Sequence, residues 1–257
     1  MKIIEPEVKL VSGKSPLEKV EFVGRVCTNS YDKMTEKSAL PFCQMLHKRN
    51  HGTPFEHTRV AIGHHEYIEI VNRLPVGDFI DTYGLNNRIA MGGKNVHING
   101  RDFLAIGGTL EELAALPECD DYATLQFTID IGISRELCRH RQMSFMERST
   151  RYVNLKDGIE FIRPLPFDWA QDESSVLFNI WQGACFSAEV NYKAMAKHNS
   201  SAQESRSVLP LSTRTELFMT GTYKQWNDVF ALRLDKAAHP SMRYIMEQAS
   251  ELIKENL

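Results

Sequence analysis

Residues 123–131 alternate, with Leu125, Phe127, Ile129 and Ile131 falling on one face. A period of two marks a strand with one buried side, because successive side chains leave a pleated backbone in opposite directions. Such a strand needs hydrogen-bonded neighbours and an apolar cover. Residues 58–70 are also β-rich and alternating, and are expected to neighbour 123–131 in one sheet; residues 213–222 read as a further strand. Helical patterns supply the cover. Ser15 can cap a helix over 15–27, with Pro16 in its first turn and Glu18 completing a capping box. A second helix is expected over 38–48, ended by Asn50 and Gly52. The longest helical pattern spans 173–200, with Leu177, Ile180, Trp181, Cys185 and Val190 along it. Ser134 is expected to open a short helix, and residues 225–234 and 241–257 read as two more. The expectation is a single α/β (α+β) domain over 1–257, a mixed sheet flanked by helices. A Gly- and Asn-rich excursion at about 71–121 reads as a lid or peripheral subdomain.

With 257 residues the chain can bury a sizeable core, and 42% apolar and 25% charged residues are ordinary for a globular protein. No apolar run approaches the ~20 residues needed to cross a bilayer. The first residues, Met1-Lys2-Ile3-Ile4-Glu5-Pro6, hold no apolar signal core, so a cytoplasmic protein with no membrane partner is expected. The five cysteines are scattered without a CxxC pair, which encodes neither a zinc knuckle nor a disulfide framework. A net charge of -3 argues against a general nucleic-acid binder.

Against that charge, residues 139–151 hold four arginines, one histidine, three hydroxyl residues and a single acid, Glu147. Arginine suits a bound anion because its planar fork donates paired hydrogen bonds and stays charged. Ser144, Ser149 and Thr150 add short donors, while Met143, Phe145 and Met146 interrupt the charges. The segment therefore reads as one wall of a partly apolar site for a small anionic ligand.

The pattern Arg139-His140-Arg141, then seven residues, then Ser149, resembles the signature of the flavin-dependent thymidylate synthases. Upstream, His51-Gly52-Thr53-Pro54-Phe55-Glu56-His57 is similar to that family's helix-to-strand turn. Downstream, Arg206-Ser207-Val208-Leu209-Pro210 resembles its Arg-x-x-Leu-Pro element, and Thr220-Gly221-Thr222, Trp226 and Leu232-Arg233 fit its C-terminal strand and helix. These blocks occur in order from about residue 25 to residue 243.

The resemblance implies the flavin-dependent thymidylate synthase fold and methylation of dUMP at C5. The carbon would come from methylenetetrahydrofolate and the hydride from FAD recharged by NADPH, giving dTMP and tetrahydrofolate. It also implies a homotetramer with active sites built from several subunits. Position by position, Glu136, Leu137, Cys138, Arg139, Glu147, Arg148, Ser149, Thr150, Arg151, Arg206 and Arg233 match dUMP-binding residues. His51, Thr53, Glu56, Arg139, His140, Arg141, Glu147, Thr222, Lys224 and Asp228 match FAD-binding ones. Arg233 matches the arginine beside the pyrimidine that favours ionisation at N3, the catalytic position; fixed positive charge there stabilises charge that develops on the ring. The sequence departs from the family at Met146 (commonly Asn or Ser), Cys27 (Ser) and Glu136 (Gln). Thr222, Lys224 and Asp228 replace the frequent Asn, Arg and Asn or His. These departures leave the dUMP side closer to the pattern than the FAD adenine side.

Other residues have plainer readings. Cys138 reads as a packing thiol, although Arg139 and His140 could lower its pKa. His64-His65-Glu66, if in a strand, would point its imidazoles to opposite faces, so no metal site is expected. Trp181 and Trp226 read as core, His57 and His239 as structural, and Arg214 and Arg243 as surface charges. Two alternatives stay open: a related C5 modification such as hydroxymethylation, and a nucleotide-sensing or single-strand nucleic-acid module using arginines and aromatics.

Overall fold

A computed structural model describes residues 1–74, 90–92 and 94–256. Its strands are β1 (Lys2–Ile4), β2 (Glu7–Leu10), β3 (Arg59–Gly63), β4 (Ala90–Gly92), β5 (Asn95–Asn99), β6 (Tyr122–Asp130), β7 (Ser144–Glu147), β8 (Glu160–Ile162) and β9 (Arg214–Thr222). Its longer helices are α1 (Pro16–Gly24), α2 (Ala39–Lys48), α3 (His64–Val71), α4 (Ile131–Leu137), α5 (Val176–Lys197), α6 (Tyr223–Arg233) and α7 (Pro240–Lys254).

The alternating segment becomes β6, an inner strand of the sheet β2-β6-β9-β7, in which every neighbouring pair is antiparallel. Leu125 faces Met219 and Phe127 faces Leu217 across the ladder, and all four are buried. Helices α6 and α7 cover this face with Trp226, Val229 and Phe230, and with Met242, Ile245, Met246, Ala249 and Ile253. The α7 residues recur every three or four positions, the spacing of one helix face. Each fully buried aliphatic side chain contributes roughly 1.5–3 kcal/mol. Trp226 satisfies its indole by donating to the Ala123 carbonyl at 3.1 Å.

The other face of β6 and β9 carries a buried polar group. Thr124 and Thr220, opposite each other, share a 2.8 Å hydroxyl contact, and His57 Nδ1 lies 2.7 Å from Thr220 Oγ1. Burial drives the His57 imidazole down to about 3, so it is neutral. A second apolar cluster joins α1, α2 and the antiparallel sheet β3-β5-β4. Strands β1 and β8 pair in parallel.

Several expectations need correction. Residues 58–70 are not one strand: β3 ends at Gly63, and α3 starts at His64. Ile68 and Ile70 continue the alternation, but Tyr67, Ile70 and Val71 have helical spacing, and Ile70 and Val71 are buried while Ile68 is exposed. Nor does β3 neighbour β6; it pairs with β5, and a single bridge joins Val60 to Glu118. The excursion supplies β4, β5 and two short helices, Gly100–Ala105 and Leu110–Ala115; residues 75–89 and 93 of it lie outside the described residues. Asp130, not Ser134, caps α4, its carboxylate accepting from the Ile133 amide at 2.8 Å. Among the described residues no helix is long and apolar enough to cross a membrane.

Candidate active site

The basic segment is held at both ends. Leu137, buried at the end of α4, anchors one side of the turn carrying Arg139-His140-Arg141, and buried Met143 anchors the other. Residues 144–147 then form β7 against β9, pairing Ser144 with Thr220 and Glu147 with Leu217. Arg139 and Arg141 are exposed, and His140 is half-buried.

Arg233, the last residue of α6, reaches this turn. Its Nε donates to His140 Nε2 at 2.8 Å, and Nη2 donates to the Glu136 carbonyl at 2.8 Å. Nη1 lies 3.3 Å from Glu136 Oε2. An imidazole nitrogen that accepts is unprotonated, so the His140 proton sits on Nδ1. Burial, then the Arg233 charge, hold the His140 pKa below its ordinary value. Arg233, 93 positions beyond His140, thus joins His140 and Glu136 in one polar cluster.

A second group follows β7. Glu147 Oε1 accepts from Ser134 Oγ at 2.6 Å and from Thr215 Oγ1 at 3.0 Å, fixing the acid between α4 and β9. The Ser149 amide donates to the Cys27 carbonyl at 3.2 Å, and Ser149 Oγ accepts from the Arg151 amide at 3.2 Å. Arg206 Nη1 lies 3.4 Å from Thr150 Oγ1, and Arg151 Nε donates to Gln203 at 3.1 Å. Arg148 is desolvated and faces Arg214; both effects lower its pKa. A cavity of about 430 Å³ opens beside it, lined by Lys2, Glu160 and Arg214 among others. Neither the Arg-His-Arg turn nor Arg233 lines that cavity.

The positions matched to FAD fall in two further places. His51 and Thr53 are exposed around the turn Thr53–His57, where Arg101 forms an ion pair with Glu56. Thr222 caps α6, accepting from the Gln225 amide at 3.3 Å; Lys224 and Asp228 are exposed, one turn apart on α6. Among the described residues, no hydrogen bond joins His51, Thr53 or Glu56 to the Arg-His-Arg turn. Gln225 does join α6 to it, donating to the Gln142 carbonyl at 2.9 Å.

Sequence reasoning missed Ser134, Thr215, Gln225 and Arg101 as supports. Gln225, three residues after Thr222, was a legible capping-box signal. Arg214 is no plain surface charge: it pairs with Glu216 at 3.0 Å and Glu160 at 3.5 Å, a pattern that Arg-x-Glu on one strand face could have suggested. Cys138 is exposed as a residue, but partial desolvation of its thiol, then the Glu147 charge, raises its pKa, the opposite of an activated nucleophile. Elsewhere, ligand atoms of His97, Cys119 and Asp121 converge within 4.8 Å, a group sequence spacing did not show. Arg59 already engages Asp121 at 3.2 Å, and burial pushes the Cys119 thiol up to about 12.

A profile of the family described as "Thymidylate synthase complementing protein" (Thy1) matches residues 121–257. The flavin-dependent thymidylate synthase of Mycobacterium tuberculosis (strain ATCC 25618 / H37Rv) is 29% identical over 142 residues, 48% of this chain and 54% of that protein. The Synechocystis sp. protein of the same name is 30% identical over 139 residues, 50% of this chain and 64% of that one. The chain thus spans about half the length of the mycobacterial relatives it matches. A solved structure of the UMP/dUMP methylase PolB from Streptomyces cacaoi superposes with a TM-score of 0.49 at 17% identity, covering 99% of this chain and 92% of that one. The profile takes in β6, the Arg-His-Arg turn, the Arg206 element and all of α6, and on that match this chain belongs to the thymidylate synthase complementing protein family, that of the flavin-dependent thymidylate synthases.

Proposed function

We propose that this chain is a flavin-dependent thymidylate synthase, converting dUMP to dTMP with methylenetetrahydrofolate as carbon donor and NADPH as reductant. The observation that carries the proposal is the meeting of Arg233, His140 and Glu136 at the family's signature turn. Two carbonyl or ring acceptors and one carboxylate aim the guanidinium. A cation fixed beside a pyrimidine stabilises negative charge as N3 ionises. Ser149, the Thr150 backbone, Arg151 and Arg206 would hold the dUMP phosphate with charge-assisted hydrogen bonds.

The residues present fit FAD. Arg139 and Arg141 stand on an exposed turn with no acidic partner among the described residues, a charge surplus suited to a pyrophosphate. His51, Thr53, Glu56, Thr222, Lys224 and Asp228 would complete its pocket. When bound, FAD supplies the hydride. We further propose a homotetramer whose sites are completed between subunits, because Arg139, Arg141, Arg151 and Arg206 all face solvent in the single chain.

The test is tritium release from C5-labelled dUMP by protein supplied with FAD, NADPH and methylenetetrahydrofolate. Arg233→Ala should abolish release yet retain flavin absorbance. Full turnover by that variant overturns the role given to Arg233, and absence of flavin binding by the wild type overturns the whole proposal.

A further inference from the structure

Around β3 two parts of the chain bring unlike donor groups together. His97 stands on β5 opposite Ala61 of β3. On the other side of β3 runs the segment ahead of β6. There the Ala61 amide donates to the Pro117 carbonyl at 3.0 Å, Val60 bridges to Glu118, and the Cys119 amide donates to the Arg59 carbonyl at 2.9 Å. Two residues on, the Asp121 carbonyl accepts from the Tyr223 amide at 3.0 Å, where α6 begins. One ligand atom each from His97, Cys119 and Asp121 lies within 4.8 Å of the others. Their backbones are fixed by hydrogen bonds independent of the side chains, so the convergence is built into the fold. Cys119 is buried, while the side chains of His97 and Asp121 are 18% and 33% exposed, which leaves the group within reach of solvent.

We propose that His97, Cys119 and Asp121 bind a zinc-class divalent cation, which clips the sheet β3-β5-β4 to the start of β6 and α6. The donor set chooses the metal. One imidazole, one thiolate and one carboxylate suit borderline-soft Zn2+, whereas Mg2+ and Ca2+ take oxygen ligands. The spacing fits as well. His97 Nδ1 stands 3.1 Å from Asp121 Oδ2, against an edge of about 3.3 Å between nitrogen and oxygen on a tetrahedral zinc. The corresponding edge to sulfur is about 3.5 Å, so from within 4.8 Å the Cys119 sulfur closes by no more than about 1.3 Å. Asp121 is also supported as metal-bound carboxylates are. Its Oδ1 accepts from Arg59 Nε at 3.2 Å, which aims the carboxylate and leaves Oδ2 facing the imidazole. Glu118 is otherwise engaged, by Lys19 at 2.8 Å and the Tyr122 hydroxyl at 2.9 Å. Among the described residues no fourth side chain joins the three, so water takes the last position, as in open zinc sites. Binding replaces the His97–Asp121 contact by two bonds to the metal and releases the Cys119 proton to solvent. A hydrogen bond between His97 and Asp121 alone would account for their contact and leave the neighbouring thiol incidental.

Cobalt(II), a spectroscopic stand-in for zinc, tests the site on the full chain after dialysis against a chelator. One equivalent should bring the visible absorption of tetrahedral cobalt together with a near-ultraviolet thiolate-to-metal band. Cys119→Ser should lose the near-ultraviolet band. His97→Gln and Asp121→Asn should each weaken cobalt binding by roughly tenfold or more, with the circular dichroism unchanged. Cys138→Ser, which removes the exposed thiol, should keep both band and affinity. A wild type without the sulfur band, or a Cys119→Ser variant that retains it, overturns the proposal. Should Cys119→Ser fail to fold, X-ray absorption of the zinc-loaded wild type decides the matter. One sulfur at about 2.3 Å among nitrogen and oxygen neighbours is expected, and a shell of light atoms alone overturns the site. Both readings are taken without dUMP or flavin, so this proposal and the catalytic one fail separately.

Discussion

His140 accepts from Arg233 only while its Nε2 is unprotonated, so the contact that aims the guanidinium is itself sensitive to acid. His57 is the more extreme case, neutral because it is sealed beneath the sheet. Unfolded, its imidazole binds a proton near 6.5; folded, only near 3. The unfolded state therefore holds more protons as pH falls through this window, so stability present above about 6.5 is lost toward 3. The slope reaches at most ~1.4 kcal/mol per pH unit for this one group. Urea unfolding at pH 7 and pH 5 should show the loss, and His57→Gln should flatten the difference; an unchanged slope refutes the assignment. At this scale the sequence was a good guide to identity and a poor one to support. It marked His57 as structural, and the imidazole is buried and neutral; Arg233 it matched to the family's catalytic position, which the tritium-release assay tests. It did not show that Glu147 would be pinned by Ser134 and Thr215, because those contacts join elements far apart in the chain.

Among the elements, β9 and the basic turn are fitted together at one point. A β-carbon on Gly221 would stand 2.4 Å from Met143 Sδ, the residue that anchors the turn after Arg141. Overpacking of this kind typically costs ~1–3 kcal/mol. Gly221→Ala should lower the melting temperature and weaken flavin binding, and Met143→Ala added to it should recover part of both. Recovery of neither would separate the turn from the strand. Strand β6 was legible because one of its faces is apolar throughout and α6 and α7 cover it. Strand β7 was not, since four half-buried residues between charges have no clear period. The 58–70 region failed for a different reason: its apolar residues satisfy both periods, and only tertiary burial of Ile70 and Val71 separates a strand from the helix that forms.

For the whole molecule, the ordered motifs disclosed the family, while the meeting of their residues depended on folding. The dUMP-matched residues fall in two groups, Glu136 and Arg233 at the basic turn and Glu147, Thr150 and Arg206 from β7 onward; the flavin-matched ones are spread over the Thr53–His57 turn, the basic turn, β7 and α6. No local pattern carries that distribution, because it is set by how sheets and helices pack. Helix α6 spans the two levels. Its inner residues Trp226, Val229 and Phe230 close the main core, while Gln225 near its start and Arg233 at its end both grip the turn. Trp226→Ala should cost ~3–5 kcal/mol, seen as a fall in unfolding midpoint, with turnover lost in parallel. Chemistry and cohesion thus share a fastening, and on heating the protein should stop working at the temperature where it melts, with no inactive folded interval between.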